Sequence, residues 1–174
     1  TSVCVYFQVH QPFRLRWFWP GGGSDGSLED HYFDNSLNEW TFHKVAKKCY
    51  WPATNNILAN IDRLKGQNRK FKVSYSLSGP VLEQMDRWDP DLLELFRQVG
   101  GTGCCEFISE TRYHSLASLF EYRGEFIEQV REQRRMVKDY LGQIPKVFRN
   151  TELLYHDTIA REVEELGFKA ILVE

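Results

Sequence analysis

The acids and imidazoles best suited to chemistry in this sequence fall in, or just after, short apolar runs. His10 and Gln11 follow "VCVYFQV", Glu106 and Glu110 lie in and after "CCEFI", and Arg149, Asn150 and Glu152 follow "KVF". Glu152 stands between an amide and two leucines, a setting that partly desolvates a carboxylate and fixes its direction. A carboxylate that attacks an acetal carbon needs this, together with a second carboxyl about 5 Å away to protonate the leaving oxygen. The plainer alternative is a Glu paired with Arg149, or one capping a helix that begins near Asp157. Glu106 suits either a sugar hydroxyl or a pairing with Arg112, and His10 suits either a site or a core imidazole bonded to a carbonyl. Trp17, Phe18 and Trp19, ahead of Gly21-Gly22-Gly23, suit either a stacking platform or packing at a rim.

Other chemistries lack their signatures. The five His show no HxH, HExxH or HxxxH spacing, so no metal site is expected. There is no GxSxG elbow, GxGxxG turn or Walker sequence, and no cofactor is expected. Lys and Arg (22) nearly balance Asp and Glu (24). That balance creates no single-signed field for nucleic acid or a membrane surface. No apolar run approaches the roughly 20 residues of a membrane span, and no secretory signal opens the chain. Cys4, Cys49, Cys104 and Cys105 form no CxxC pair, which fits reduced, buried thiols of a cytoplasmic protein.

The elements that must position these groups alternate in type. Residues 3–9, 71–77, 104–108, 146–148 and 169–173 read as strands, being short and rich in β-branched or aromatic residues. Helical spacing joins Ile57, Leu58, Ile61 and Leu64 after the start signals Pro52 and Thr54. It also joins Leu92, Leu93, Phe96 and Val99 behind an Asp89-Pro90 cap. Phe126, Ile127, Val130, Val137 and Leu141 run up to Gly142, and Ile159, Val163 and Leu166 lie between an Asp157 cap and Gly167. Residues 21–35 read as a loop. Strands alternating with helices imply parallel pairing, and near-continuously apolar strands imply cover on both faces. Sites in such folds collect at the carboxyl ends of the strands, where the groups above stand. Five strands are too few for a closed barrel, and "FKAILVE" stops in or just after a core strand, an edge that whole proteins cover. The expectation is an α/β fold of the incomplete barrel type, with residues 1–174 a single domain forming the amino-terminal portion of a larger barrel.

Three stretches, "FQVHQPFRL", "GCCEFISETRYHSL" and "VFRNTELLYHD", together with "YFD", "KCYWPA", "LASLF" and "ELGFKAIL", resemble glycoside hydrolase family 57, and most closely its α-amylase-type members. The resemblance spans essentially the whole chain. It implies an incomplete (β/α)7-type barrel and a retaining enzyme acting on α-1,4-glucan or maltooligosaccharide, with no metal or other cofactor. Glu152 in "RNTE" matches the nucleophile. His10 in "HQP" and Glu106 in "GCCEF" match residues lining the sugar subsite at the cleavage point. Arg149 and Asn150 flank the nucleophile, and Gln11 and Glu110 complete the expected substrate-binding set. The family's general acid is an Asp in a later motif, and no Asp here stands in a matching context. A 4-α-glucanotransferase or a non-catalytic glucan-binding relative is the alternative; a metal-dependent deacetylase would need a triad that the spacing does not supply.

Overall fold

The computed structural model describes residues 3–17, 32–65, 67 and 71–173. Its strands are β1 (Tyr6–Val9), β2 (Val73–Leu77), β3 (Cys105–Ile108), β4 (Val147–Arg149) and β5 (Ala170–Leu172). They recover the five apolar runs, trimmed or shifted by a few residues. Pairing is parallel between β1 and β2, β2 and β3, and β4 and β5. Just beyond β3, Ser109 N–H donates to Val147 O at 2.9 Å and Arg149 N–H donates to Ser109 O at 2.8 Å. This parallel bridge joins the two sets, so strand order follows chain order, as a barrel built from successive strand–helix units requires.

Helices fill every crossover. α1 (Asn35–Val45) and α2 (Trp51–Leu64) lie between β1 and β2, while α3 (Gly79–Trp88) and α4 (Pro90–Gly101) lie between β2 and β3. α5 (Gly124–Leu141) and α6 (Asp157–Glu165) serve the last two connections. A π-helical turn, Ala46–Tyr50, joins α1 to α2 without a break. It ends just before Pro52, whose ring crowds the carbonyl four residues back, so a widened turn there is physically reasonable. Sequence periodicity does not reveal α1, because its buried residues are Asn38 and Phe42, one of them polar. α3 also escapes, since its Gly79-Pro80 start reads as the end of a strand. Asp89 caps α4 as expected, accepting from Leu92 N–H at 3.1 Å, and Gly142 ends α5 with φ 72°. The cap of α6 is His156 rather than Asp157, which is the first helical residue.

The strands alternate more than their apolar appearance suggests. Val73, Tyr75 and Leu77 of β2 pack with Val9, Cys105 and Phe107 against the helices. Tyr6, Gln8, Ser74, Ser76, Glu106 and Ile108 take the opposite face by register. A second cluster, centred on Phe126, Phe148 and Phe168, seats α5 and α6 on β4 and β5. Phe42, Phe96, Phe107, Phe126 and Phe148 are fully buried, each contributing roughly 1.5–3 kcal/mol. Not all thiols are buried: Cys105 is, but Cys4 and Cys49 are exposed, and all four are unpaired. No helix among the described residues is long and apolar enough to cross a membrane.

Candidate active site

At the carboxyl ends of the strands, polar groups from β2, from the loop after β3 and from β4 converge on one carboxylate. Glu110, in the loop after β3, is fully buried. Its Oε1 accepts from Ser76 Oγ of β2 at 2.8 Å, and its Oε2 lies 2.6 Å from His114 Nδ1. Arg149 Nη1, at the end of β4, stands 4.0 Å from the same Oε2. A carboxylate only accepts, so Nδ1 of His114 carries the hydrogen and Nε2 faces the open side. The Gln8 amide nitrogen sits 2.9 and 3.1 Å from the two ring nitrogens, and Glu152 Oε1 lies 3.5 Å from Nε2. The Glu152 side chain is 70% exposed, so the partial desolvation expected from its leucine neighbours is not found: Leu153 and Leu154 are themselves only half-buried and do not cover it.

The backbone is strained where these groups meet. Among the described residues only three non-glycines have positive φ: His114 (54°), Glu152 (53°) and Leu153 (58°). Each such conformation costs on the order of 1–3 kcal/mol and persists only when surrounding contacts enforce it. His114 and Glu152 are the two partners of one contact, so the strain is spent at a single spot. Around it, Thr111 Oγ1 and Thr151 Oγ1 lie 3.0 Å apart and tie the β3 loop to the β4 loop. Asn150 donates to Ser118 Oγ at 2.9 Å and to Leu154 O at 2.8 Å, closing the short helical turn that carries Glu152.

His10 completes the wall. Its Nδ1 is 2.7 Å from Ser78 Oγ, and its ring lies 4.7 Å from that of His114. Burial holds the His10 imidazole below its ordinary pKa of 6.5, aided by His114 and opposed by Glu110. Burial likewise pushes the Tyr6 hydroxyl up to about 12, with Arg149 pulling the other way.

The structure thus brings together His10, Glu110, Arg149 and Glu152 from the expected set. It does not bring Gln11, Glu106 or Asn150 to the open side. Gln11 is buried, accepting from Arg14 through Oε1 at 3.0 Å and from Gln84 through its carbonyl at 2.9 Å. Asn150 is buried as a brace for the Glu152 turn. Glu106 shares the face of Glu110 but lies four residues back, about 13 Å along a strand. It is exposed and lines a hollow with Val3, Lys72 and Ser74. Arg112 is not its partner, because it is held by Glu83 at 2.8 Å and Glu132 at 2.7 Å. Sequence reasoning passed over Gln8, Ser76, Ser78 and His114, although the last three stand in strand exits and His114 follows Glu110 by four residues. Trp17 is 90% exposed, while Phe18 and Trp19 lie outside the described residues. Among the described residues no group of three or more His, Cys, Asp or Glu is arranged to hold a metal.

Parallel strands in chain order with titratable groups gathered at their carboxyl ends define a β/α-barrel type of fold. Residues 4–174 match the model for "Glycosyl hydrolase family 57", and the chain belongs to that family. A Methanocaldococcus jannaschii protein named "Putative alpha-amylase" is 45% identical over 172 residues, covering 99% of this chain and 35% of that protein. This chain therefore spans about a third of the length of that relative. The crystal structure of 4-alpha-glucanotransferase from Thermococcus litoralis aligns with a TM-score of 0.73 at 19% identity, covering 98% of this chain and 22% of that one. The alpha-amylase AmyC from Thermotoga maritima aligns with a TM-score of 0.66 at 13% identity, covering 98% of this chain and 39% of that one. These two structures share the fold.

Proposed function

We propose that this chain supplies the nucleophile-bearing part of a retaining enzyme acting on α-1,4-glucan or maltooligosaccharide, with Glu152 as nucleophile. One oxygen of Glu152 attacks the anomeric carbon, the glycosidic C–O bond breaks, and the leaving oxygen takes a proton from a second carboxyl. Water, or a sugar hydroxyl in a transferase, then attacks the same anomeric carbon, gives its proton to the second carboxylate and displaces Glu152. The observation that carries this reading is the placement of Glu152. It is an exposed carboxylate on a strained turn at a strand exit, facing an imidazole braced from behind by Glu110. Hydrolysis is preferred to transfer because the 45% identical relative bears the name "Putative alpha-amylase".

Glu110 is poorly suited to be the acid, since both its oxygens are already hydrogen-bonded to Ser76 and His114. The acid then comes from outside these residues, and the 174-residue chain alone is expected to release no reducing ends from maltooligosaccharide. His10 and Arg149 contribute to the sugar-facing wall. A cytoplasmic location belongs to the same reading, supported by four unpaired thiols.

The test is made on the intact protein. Glu152→Gln should abolish turnover with the fold unchanged, and a fluorinated glucosyl fluoride should label Glu152 covalently. Undiminished turnover in Glu152→Gln, or inversion at the anomeric carbon of the first product, would refute the reading.

A further inference from the structure

We propose that His114 is a positioning residue for Glu152: in its charged form, with one N–H directed at Glu110, it turns the other, Nε2–H, toward Glu152 Oε1 so that the other carboxylate oxygen is left to attack. The proposal rests on Glu152 being the nucleophile.

The argument begins at the buried end. Glu110 has no solvent exposure, so its charge must be met by fixed partners. The 2.6 Å contact with Nδ1 is as short as a charge-assisted hydrogen bond, which places a hydrogen on Nδ1 and fixes the plane of the ring. The ring cannot swing, because the Gln8 amide lies against its nitrogens and the His10 ring lies 4.7 Å away. Its remaining nitrogen therefore has one direction, toward Glu152 Oε1 at 3.5 Å. A bare Nε2 would set a lone pair against that oxygen, whereas a second hydrogen, on Nε2, makes the ring a cation between two carboxylates and the contact attractive. Both partners hold left-handed backbone conformations to reach each other, a cost that a purely structural histidine has no reason to share with an exposed glutamate.

The side chains suggest a discriminating pair of substitutions in the intact protein. His114→Asn places an amide near the former Nδ1, keeps a partner for Glu110 and tolerates positive φ, but leaves nothing at Nε2. His114→Gln places an amide nitrogen near the former Nε2. The expectation for His114→Asn is a kcat lower by about 10²-fold with KM changed little, since a misplaced reacting group costs about that much. His114→Gln should recover most of the loss, to within about tenfold of the unaltered protein.

Equal kcat in the two variants would overturn the proposal, as would a loss confined to KM, which would mark His114 as a sugar-binding group. Undiminished kcat in the folded fraction of His114→Asn would leave it a structural histidine. If His114→Asn does not fold, His114→Gln carries the test alone. Recovery to within about tenfold supports the proposal, and a loss as complete as that of Glu152→Gln overturns it. Glu152→Gln separates the two readings: if it is inactive while His114→Asn is normal, only the positioning role fails. If Glu152→Gln is active, both fail.

Discussion

Glu106 and Glu110 leave the same side of the same strand region, four residues apart, and meet opposite fates. Glu106, opposite Ser74, is exposed beside Lys72 and an open hollow. Glu110 is fully buried and bonded to Ser76 and His114, with Arg149 behind it. The two carboxylates are chemically identical, so the difference comes from which end of the parallel strands each occupies. At the carboxyl end the chain turns outward into loops, and loops from several strands can bring donors to one point. At the amino end no hydrogen bond or ion pair holds Glu106 among the described residues. Among the described residues it is the carboxyl end that fixes a carboxylate in one orientation.

The largest expected effect tests that contrast directly. In the intact protein, Glu110→Ala should destabilise by about 3–5 kcal/mol, because it leaves the buried Arg149 guanidinium and His114 without their counter-charge. Chemical denaturation measures this. A cost below about 1 kcal/mol would mean that Glu110 is solvated rather than clamped.

A smaller effect is expected one step away, at Gly79. Its N–H donates to Arg112 O at 2.8 Å, and an added Cβ would lie 2.9 Å from that oxygen and 2.7 Å from Arg112 Cγ. Arg112 begins the approach to His114, so Gly79→Ala should cost about 1–3 kcal/mol by overpacking and also lower kcat. A stability loss with kcat intact would show that the His114 loop is insulated from the start of α3.

The pH response of the same wall is expected to be gentler. Burial lowers the His10 pKa from 6.5, so the folded state binds fewer protons at this site than the unfolded state. Stability from this group is full above pH 6.5 and is lost as pH falls through the lowered value. Unfolding midpoints taken from pH 7 to pH 5 should drop less in His10→Gln than in the unaltered protein. Equal slopes would remove His10 from the account of acid sensitivity.

Much of this architecture was legible because it rests on local patterns. Five apolar runs, the Asp89 cap and the stop at Gly142 each follow from residues close together in sequence. The position of Glu152 at a strand exit was legible because a carboxylate just past a strand in a parallel fold already stands at the strand ends. The clamp on Glu110 was not, since its partners come from β2, β4 and the turn before α5. No local pattern records which distant donors a loop will meet. α1 was hidden for a different reason: its buried stripe includes Asn38, which donates to Arg14 O and accepts from Arg14 N–H, so the helix is docked by hydrogen bonds as well as by Phe42.

The smallest effect is the one most able to overturn the comparison. By its motif Glu106 belongs with the sugar-lining residues; by position it lies about 13 Å along the strand from Glu110 and away from the His114–Glu152 contact. If position decides, Glu106→Gln should change stability by no more than about 0.5 kcal/mol, as an exposed polar substitution does. The same limit on transition-state stabilisation keeps kcat/KM within about twofold of the unaltered enzyme. A hundredfold fall in kcat/KM with stability preserved would mean that glucan reaches down the inner face as far as Ser74. The amino end would then belong to the substrate path, and the burial of Glu110 would mark a brace in the middle of the cleft rather than its floor.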